Sequence, residues 1–302
     1  MKILIFGKNG QVGWELQRSL SLISDMISLD RRSSIYAADF NNIKAIKETI
    51  HAIKPDVIVN AVAYTNVDKA ESDYENAFLI NAECVKILAQ EASKVNSWLV
   101  HYSSDYVFNG NGDHSWTELD SPDPLNAYGE SKLLGELNIE KYCEKHLIFR
   151  TSWVYAKRGN NFLKTILKLI NNKESISVIE DQIGAPTSAE LLADCTAHAI
   201  LRVIEDPSLA GLYHISPYGE TSWFNYATYI LSEAKKLHFP HRTDCQINRI
   251  LTKDYNSIAI RPLNSRLSKE KIIKNLKFNI PNWEVNVSRT IDELNNLRAI
   301  LL

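Results

Sequence analysis

The stretch NAYGESKLLGE, residues 126–136, sets a tyrosine, Tyr128, four positions before a lysine, Lys132. On a helix four residues advance the chain by about 6 Å and slightly more than one turn, so the two side chains share a face. A free phenol, with a pKa near ~10, is a poor proton shuttle at neutral pH, and an ammonium beside it favours the phenolate and lowers that pKa. Such a pair suits proton transfer to or from a carbonyl oxygen. Of the 13 tyrosines only Tyr128 has lysine at this spacing. Chance alone provides about one such pair, so its neighbours must decide. Ser104, at the end of the run LVHYSS, supplies a hydroxyl that can polarise the carbonyl Tyr128 would protonate. The bland alternative is an exposed helix pair plus a serine at a strand end.

A second feature favours the chemical reading. GKNGQVG places Gly7, Gly10 and Gly13 directly after the first apolar run and at the start of a helical pattern. There glycines let the backbone approach a pyrophosphate, whose charge sits on the helix N-terminus. The spacing is G-x-x-G-x-x-G rather than the usual G-x-G-x-x-G, and a tight turn with close helix packing is the competing reading. Asp30 ends the second apolar run, where an acid would bond the adenosine ribose of NAD. Arg31 and Arg32 follow at once, and either guanidinium could hold a 2′-phosphate instead. NAD and NADP both remain open. The segment ADF, residues 38–40, could flank the adenine or be an ordinary loop.

These residues need a scaffold. KILIFG (2–7), MISLD (26–30), DVIVNAVA (56–63), SWLVHYSSDYVF (97–108) and HLIFRTSWVY (146–155) read as strands. QVGWELQRSL (11–20), NIKAIKETIHAI (42–53), NAFLINAECVKILAQEASKV (76–95) and the segment around Tyr128 read as helices. Strand–helix alternation at this spacing predicts an α/β fold, a doubly wound parallel sheet of Rossmann type. Residues 1–150 form the core of a dinucleotide-binding domain. SISVIED (175–181) and GLYHIS (211–216) are candidates to extend the sheet from within 175–216. Residues 151–302 make mainly a smaller, discontinuous substrate lobe.

The bulk properties exclude several functions. A net charge of −2 gives no electrostatic case for nucleic acid. No apolar run approaches the ~20 residues of a membrane span, and the four apolar residues after Lys2 are too few for a signal-peptide core. Cys84, Cys143, Cys195 and Cys245 are widely spread with no C-x-x-C pair, which suits reduced thiols in a cytoplasmic protein. None of the eight histidines has metal-ligand spacing; His238 and His241 read as loop residues.

Along nearly its whole length the chain resembles the extended short-chain dehydrogenase/reductase family. The resemblance rests on GKNGQVG, VNAVAYTNVDKAES (59–72), SSDYVFNG (103–110), AYGESKLLGE (127–136), RTSWVY (150–155), DQIGAPTSA (181–189) and RPLNSRL (261–267). Gln11 and the AYTNVDKAE segment separate it from the epimerases and dehydratases of that family. Dehydratases also tend to carry an acidic pair beside the strand-end hydroxyl, whereas Tyr106 follows Asp105 here. The resemblance implies reduction of the 4-keto group of dTDP-4-dehydro-L-rhamnose to dTDP-L-rhamnose by NADPH or NADH, with Tyr128 as proton donor. Lys132 would tune the phenol and bond the nicotinamide ribose. Ser104 stands where the family usually has threonine, keeping the hydroxyl and losing a methyl.

The same resemblance implies Gly7, Gly10, Gln11 and Val12 at the pyrophosphate, Asp30, Asp39 and Phe40 around the adenosine, and Ala61, Val62, Ala63 and Tyr64 along the dinucleotide. Asp105 and Trp153, with Ser104 and Tyr128, would meet the sugar nucleotide. It further implies a homodimer, with a magnesium ion held by Glu15, Glu190 and Asp292 at the contact; three solvated carboxylates on helices are the alternative. Proteins similar to these reductases can also be non-catalytic regulatory subunits that bind a dinucleotide and a partner enzyme, but such a binder need not retain the hydroxyl–Tyr–Lys set. A reductase or epimerase of another sugar nucleotide is the remaining alternative.

Overall fold

The computed structural model describes residues 1–301, with side chains described through Leu297. Five strands alternate with helices from the start: β1 (Lys2–Phe6), β2 (Asp25–Leu29), β3 (Val57–Asn60), β4 (Trp98–Ser104) and β5 (His146–Thr151). Short strands β6 (Val154–Tyr155), β7 (Ser175–Ile179), β8 (Ile183–Gly184) and β9 (Thr187–Ser188) leave the sheet before β10 (Gly211–His214) returns to it beside β5. The six-stranded sheet is parallel throughout, in the order β10-β5-β4-β3-β1-β2. From β1 the chain steps outward to β2, then back across to β3. The crevice outside the carboxyl ends of β1 and β3 is therefore the topological switch point.

Both faces of the sheet are covered, which is why its strands read as unbroken apolar runs. On one face α1 (Gln11–Leu20) and, from the second half, α8 (Ala189–Glu205) bury Leu16, Leu20, Leu192 and Ile200 against Ile3, Ile5, Val59 and Val100. On the other, α2 (Ile43–Ile53), α5 (Cys84–Lys94) and α6 (Ala127–Tyr142) bury Ile46, Ile50, Leu88 and Ile139 against Leu4, Phe6, Ile58, Leu99 and Ile148. α2 begins where the Asn42 side chain accepts from the Ala45 N–H. It ends at Lys54, which takes the left-handed conformation (φ 48°) just before Pro55.

The smaller lobe packs α7 (Phe162–Asn172), α9 (Trp223–Lys236) and α11 (Trp283–Leu301) around Leu163, Ile166, Tyr226, Ile230, Val287 and Ile291. It also holds β11 (Thr221–Ser222) paired with β8, β12 (Gln246–Ile250) paired with β7, and α10 (Glu270–Leu276). No helix among the described residues is long and apolar enough to cross a membrane.

Three expectations are corrected. β7 pairs with β12 and not with the central sheet, because Ser175 and Ser177 are exposed while Ile176 and Val178 are buried. That alternation suits a ribbon with one wet face, not a strand covered on both. After the short α3 (Val67–Ala70), the single helix over 76–95 is instead α4 (Tyr74–Phe78), a π-helical turn (Leu79–Glu83) and α5. The turn directs Asn81 inward, where its Nδ2 donates to the Tyr64 carbonyl at 3.1 Å and to Ser131 Oγ at 3.0 Å. The strand over 146–155 is interrupted at Trp153, whose φ is 50°.

α6 is pressed onto the sheet by more than apolar contact. Arg150 of β5 donates from Nη2 to Glu136 Oε2 at 2.6 Å and from Nε to Oε1 at 3.0 Å, both side chains being buried. The guanidinium also lies 4.9 Å from the centre of the Phe108 ring. Removing one partner of such a pair leaves a bare charge in the core. Glu136→Gln is therefore expected to destabilise the protein by about 3 kcal/mol, read from the urea midpoint; an unchanged midpoint would show that the pair does not brace this helix.

Candidate active site

Two adjoining cavities, about 670 and 600 Å³, open at the carboxyl edge of the sheet and share Asn9, Gly10 and Ala61–Ala63 as common wall. One continues past Asp30, Arg31, Arg32, Asp39 and Phe40. The other runs past Gln11 and Val12 to Ser104, Asp105, Tyr128, Lys132, Trp153 and Trp223. The residues expected to hold the cofactor and the sugar nucleotide thus line one elongated cleft, except Tyr64. Its hydroxyl donates to Asp73 at 2.9 Å, and its side chain packs against the cluster of Ala70, Ala77 and Ala127.

The adenosine end fits a dinucleotide on its own chemistry. Gly7 has φ 93°, and a Cβ there would stand 2.8 Å from the Ala61 carbonyl carbon; one on Gly13 would collide with the Gly7 carbonyl. Only glycines let β1, β3 and α1 close so tightly. Gly10 begins α1 with no side-chain cap, and no acid occupies the first turn, so the helix N-terminus is free for a phosphate. Asp30 sits at the rim, accepting from the Arg32 N–H at 2.9 Å and bonded to the Asn9 amide. Asp39 accepts from the Asn41 N–H at 3.0 Å, while the Phe40 ring is buried edge-on to Phe6. The smaller lobe reaches over this end. Arg158 donates to the Asn9 carbonyl at 3.2 Å, and Asn161 donates to Gln11 Oε1 at 2.8 Å.

At the other end α6 starts where the Asn126 side chain accepts from the Gly129 N–H at 2.9 Å. A Cβ on Gly129 would strike the Tyr106 carbonyl, so glycine lets the first turn of α6 rest on the backbone just past Ser104. Ser104 and Tyr128 line the same end of the cleft, and the serine hydroxyl donates to Asp105 Oδ1 at 3.0 Å. Hydroxyl and phenol are therefore together in the cleft.

Burial acts on the protonation of both members of the pair. Burial pushes the Tyr128 phenol up to about 12; the Ser104 hydrogen bond pulls against this and the Asp105 charge adds to it. Lys132 is buried too, and burial, offset by Glu136, brings it down to about 8. Its Nζ turns to the Tyr102 carbonyl at 2.5 Å and to His101 Nε2 at 3.1 Å. At about 12 the phenol of the ligand-free protein holds its proton at neutral pH.

Trp153 occupies a left-handed backbone, costly for a bulky residue by about 1–3 kcal/mol, and stacks on Trp223 at 3.6 Å between ring centres. Trp223 Nε1 donates to Gln182 at 3.1 Å. The two indoles form an apolar plate in the cavity that Tyr128 also lines, suited to a sugar face or a base. Trp223, Asn60 and His101 all belong to this end and were not singled out in the sequence. A tryptophan opening a helix, and a histidine within a strand, carry no spacing signal.

Within the described chain no three acids, histidines or cysteines gather at a metal-binding spacing. Glu15 pairs with Arg18 at 3.3 Å, Glu190 with Lys157 at 3.1 Å and Arg289 at 3.7 Å, and Asp292 is exposed. An ion shared between two copies would have to compete with those cations.

Comparison with known proteins agrees with this geometry. The family model described as the RmlD substrate binding domain matches residues 1–296. The dTDP-4-dehydrorhamnose reductase of Escherichia coli (strain K12) is 52% identical over 300 residues, 99% of this chain and all of that one. A crystal structure of a dTDP-4-dehydrorhamnose reductase from Clostridium acetobutylicum superposes with a TM-score of 0.87 at 34% identity, covering 97% of this chain and 99% of that one. The Bacillus anthracis enzyme, solved in complex with NADP, gives 0.86 at 34% identity with the same coverage.

Asp105 supplies a test of the site's electrostatics. Burial pushes its carboxyl up to about 6, against hydrogen bonds from Ser265 and Ser104. The folded chain therefore binds this proton more tightly than the unfolded one. Stability falls as pH rises from the ordinary carboxylate range through about 6, and the full cost stands above that. Asp105→Asn is expected to gain up to about 3 kcal/mol near pH 8 and nothing near pH 4. Denaturant unfolding at the two pH values checks this, and a gain of equal size at both would refute it.

Proposed function

The chain belongs to the RmlD substrate-binding-domain family, and we propose that it is a reductase turning the 4-keto group of dTDP-4-dehydro-L-rhamnose into the alcohol of dTDP-L-rhamnose, using NADPH or NADH. The observation that carries the reading is the meeting of the Ser104 hydroxyl and the Tyr128 phenol in a cleft continuous with the glycine turn. Full-length identity of 52% to the Escherichia coli reductase supports the substrate.

When bound, the reduced nicotinamide supplies a hydride. Ser104 bonds the ketone oxygen and draws charge onto it. As the carbon accepts the hydride, the carbonyl π electrons move to oxygen, and Tyr128 gives that oxygen its proton. A phenol held at about 12 is fully protonated at neutral pH, the state a donor needs before the reaction. The phenol regains a proton from solvent after each turnover. Gly7, Gly10, Gln11 and Val12 would hold the pyrophosphate, Asp30, Asp39 and Phe40 the adenosine, and Asp105 and Trp153 the sugar nucleotide. The four thiols are free and buried, which fits a reducing compartment, and we assign the enzyme to the cytoplasm.

Mixing the purified protein with the keto-sugar nucleotide and NADPH should consume the reduced-nicotinamide absorbance; no consumption with either NADPH or NADH would overturn the assignment. Tyr128→Phe is expected to lower turnover by about 10²-fold or more while NADPH binding, read by fluorescence, is unchanged. Equal turnover in the variant would remove Tyr128 as the donor.

A further inference from the structure

The residues lining the adenosine cavity all lie within the first 80 of the chain, except Arg158 of the smaller lobe. Its guanidinium donates from Nε to the Asn9 carbonyl at 3.2 Å and from Nη2 to Asn9 Oδ1 at 3.3 Å. It also lies 4.1 Å from the centre of the Trp14 ring, an indole left 47% exposed near the start of α1. The segment that carries it is braced for this place. Asn161 caps α7 and donates to Gln11 Oε1 at 2.8 Å and to the Ala156 carbonyl at 2.7 Å. Lys164 Nζ donates to the carbonyls of Lys157 and Gly159 at 3.0 and 2.7 Å. Gly159 has φ 75°, and a Cβ on it would stand only 3.2 Å from Gln11 Cγ. The two cations of the segment then part. Lys157 pairs with Glu190 at 3.1 Å and Glu293 at 2.5 Å. Among the described residues the partners of Arg158 are Asn9 and Trp14, neither of them an acid.

The place where this guanidinium is held calls for positive charge. Asn9 immediately precedes Gly10, the N-cap of α1, where no side chain caps the helix and no acid stands in the first turn. A pyrophosphate laid there carries a negative charge on each phosphate, and a helix N-terminus offers roughly half a positive charge in return. Arg31 and Arg32 adjoin the acid at the ribose end, whereas Arg158 adjoins the helix end. We propose that Arg158 is a further cofactor-binding residue, by which the smaller lobe closes over the glycine turn and holds the dinucleotide's pyrophosphate, with the Trp14 ring as its platform. Nη1 takes no part in the bonds to Asn9 and is free to donate to a phosphate oxygen. A planar guanidinium can stack on the indole and fork onto oxygen at once, which an ammonium cannot. The same contact gives a role to an indole that α1 leaves out of the core.

The inference rests on the dinucleotide part of the reading above and not on the identity of the sugar. Wild-type protein that bound neither NADPH nor NADH would sink that reading; wild-type binding that Arg158→Gln leaves unaltered would sink this inference alone. The full chain is titrated with NADPH and NADH by nicotinamide fluorescence, and with ADP and adenosine by their displacement of NADPH. Arg158→Gln is expected to raise the Kd of NADPH and NADH by the same factor, about 10-fold or more. It should weaken ADP likewise and leave adenosine unchanged. Affinity should also fall less steeply with added salt in the variant than in the wild type. Trp14→Leu should raise the Kd about 2- to 5-fold in the wild type and leave it unaltered in Arg158→Gln protein. A loss confined to NADPH would move Arg158 to the 2′-phosphate, and an equal loss for adenosine would show a damaged pocket. Either result would overturn the proposal.

Discussion

Lys132 has almost no water around it, and the rest of the site follows from that. Its amine reaches a strand carbonyl and an imidazole because α6 lies hard against β4 and β5. The approach is enforced from both directions. Glu136, one turn along the helix, grips Arg150, while Gly129 removes the side chain that would hold the first turn away from Tyr106. If α6 rose from the sheet, Tyr128 would leave Ser104 as well. The same packing that fixes the geometry sets the protonation. A buried phenol resists ionising, and a buried amine resists charging.

The cleft extends this economy across the whole molecule. A parallel sheet with helices on both faces must expose its strand ends, and the order β4-β3-β1-β2 opens the crevice between β1 and β3. Gly7 and Gly13 let backbone fill the space that side chains would otherwise take at one end. At the other end the smaller lobe contributes Trp153 and Trp223 as a flat apolar wall. Arg158 and Asn161 tie that lobe back to the glycine turn, so each lobe supplies part of both ends of the cleft.

Much of this was legible before any coordinates. The first helix spans residues 11–20 as read from the sequence, and β1, β3 and β5 begin within a residue of their apolar runs. Ser104, Tyr128 and the glycine turn are brought to one cleft, because each was marked by residue type and position rather than by composition. What the sequence hid has particular causes. The π turn that breaks the helix at Leu79 is invisible because its residues are ordinary helix formers. β7 looked like a sheet strand until its alternating serines proved to face solvent. His101 and Asn60 meet across two neighbouring strands, and no sequence period links such residues.

The central claim is that burial keeps the donor protonated in the ligand-free enzyme. Titrating Tyr128 directly, with ring-13C-labelled tyrosine and Tyr128→Phe to assign its signal, tests that most simply. The phenol signal is expected to persist past the pH near ~10 where a free tyrosine ionises, consistent with a value of about 12. Ionisation of Tyr128 near neutrality, before any ligand is added, would contradict the account.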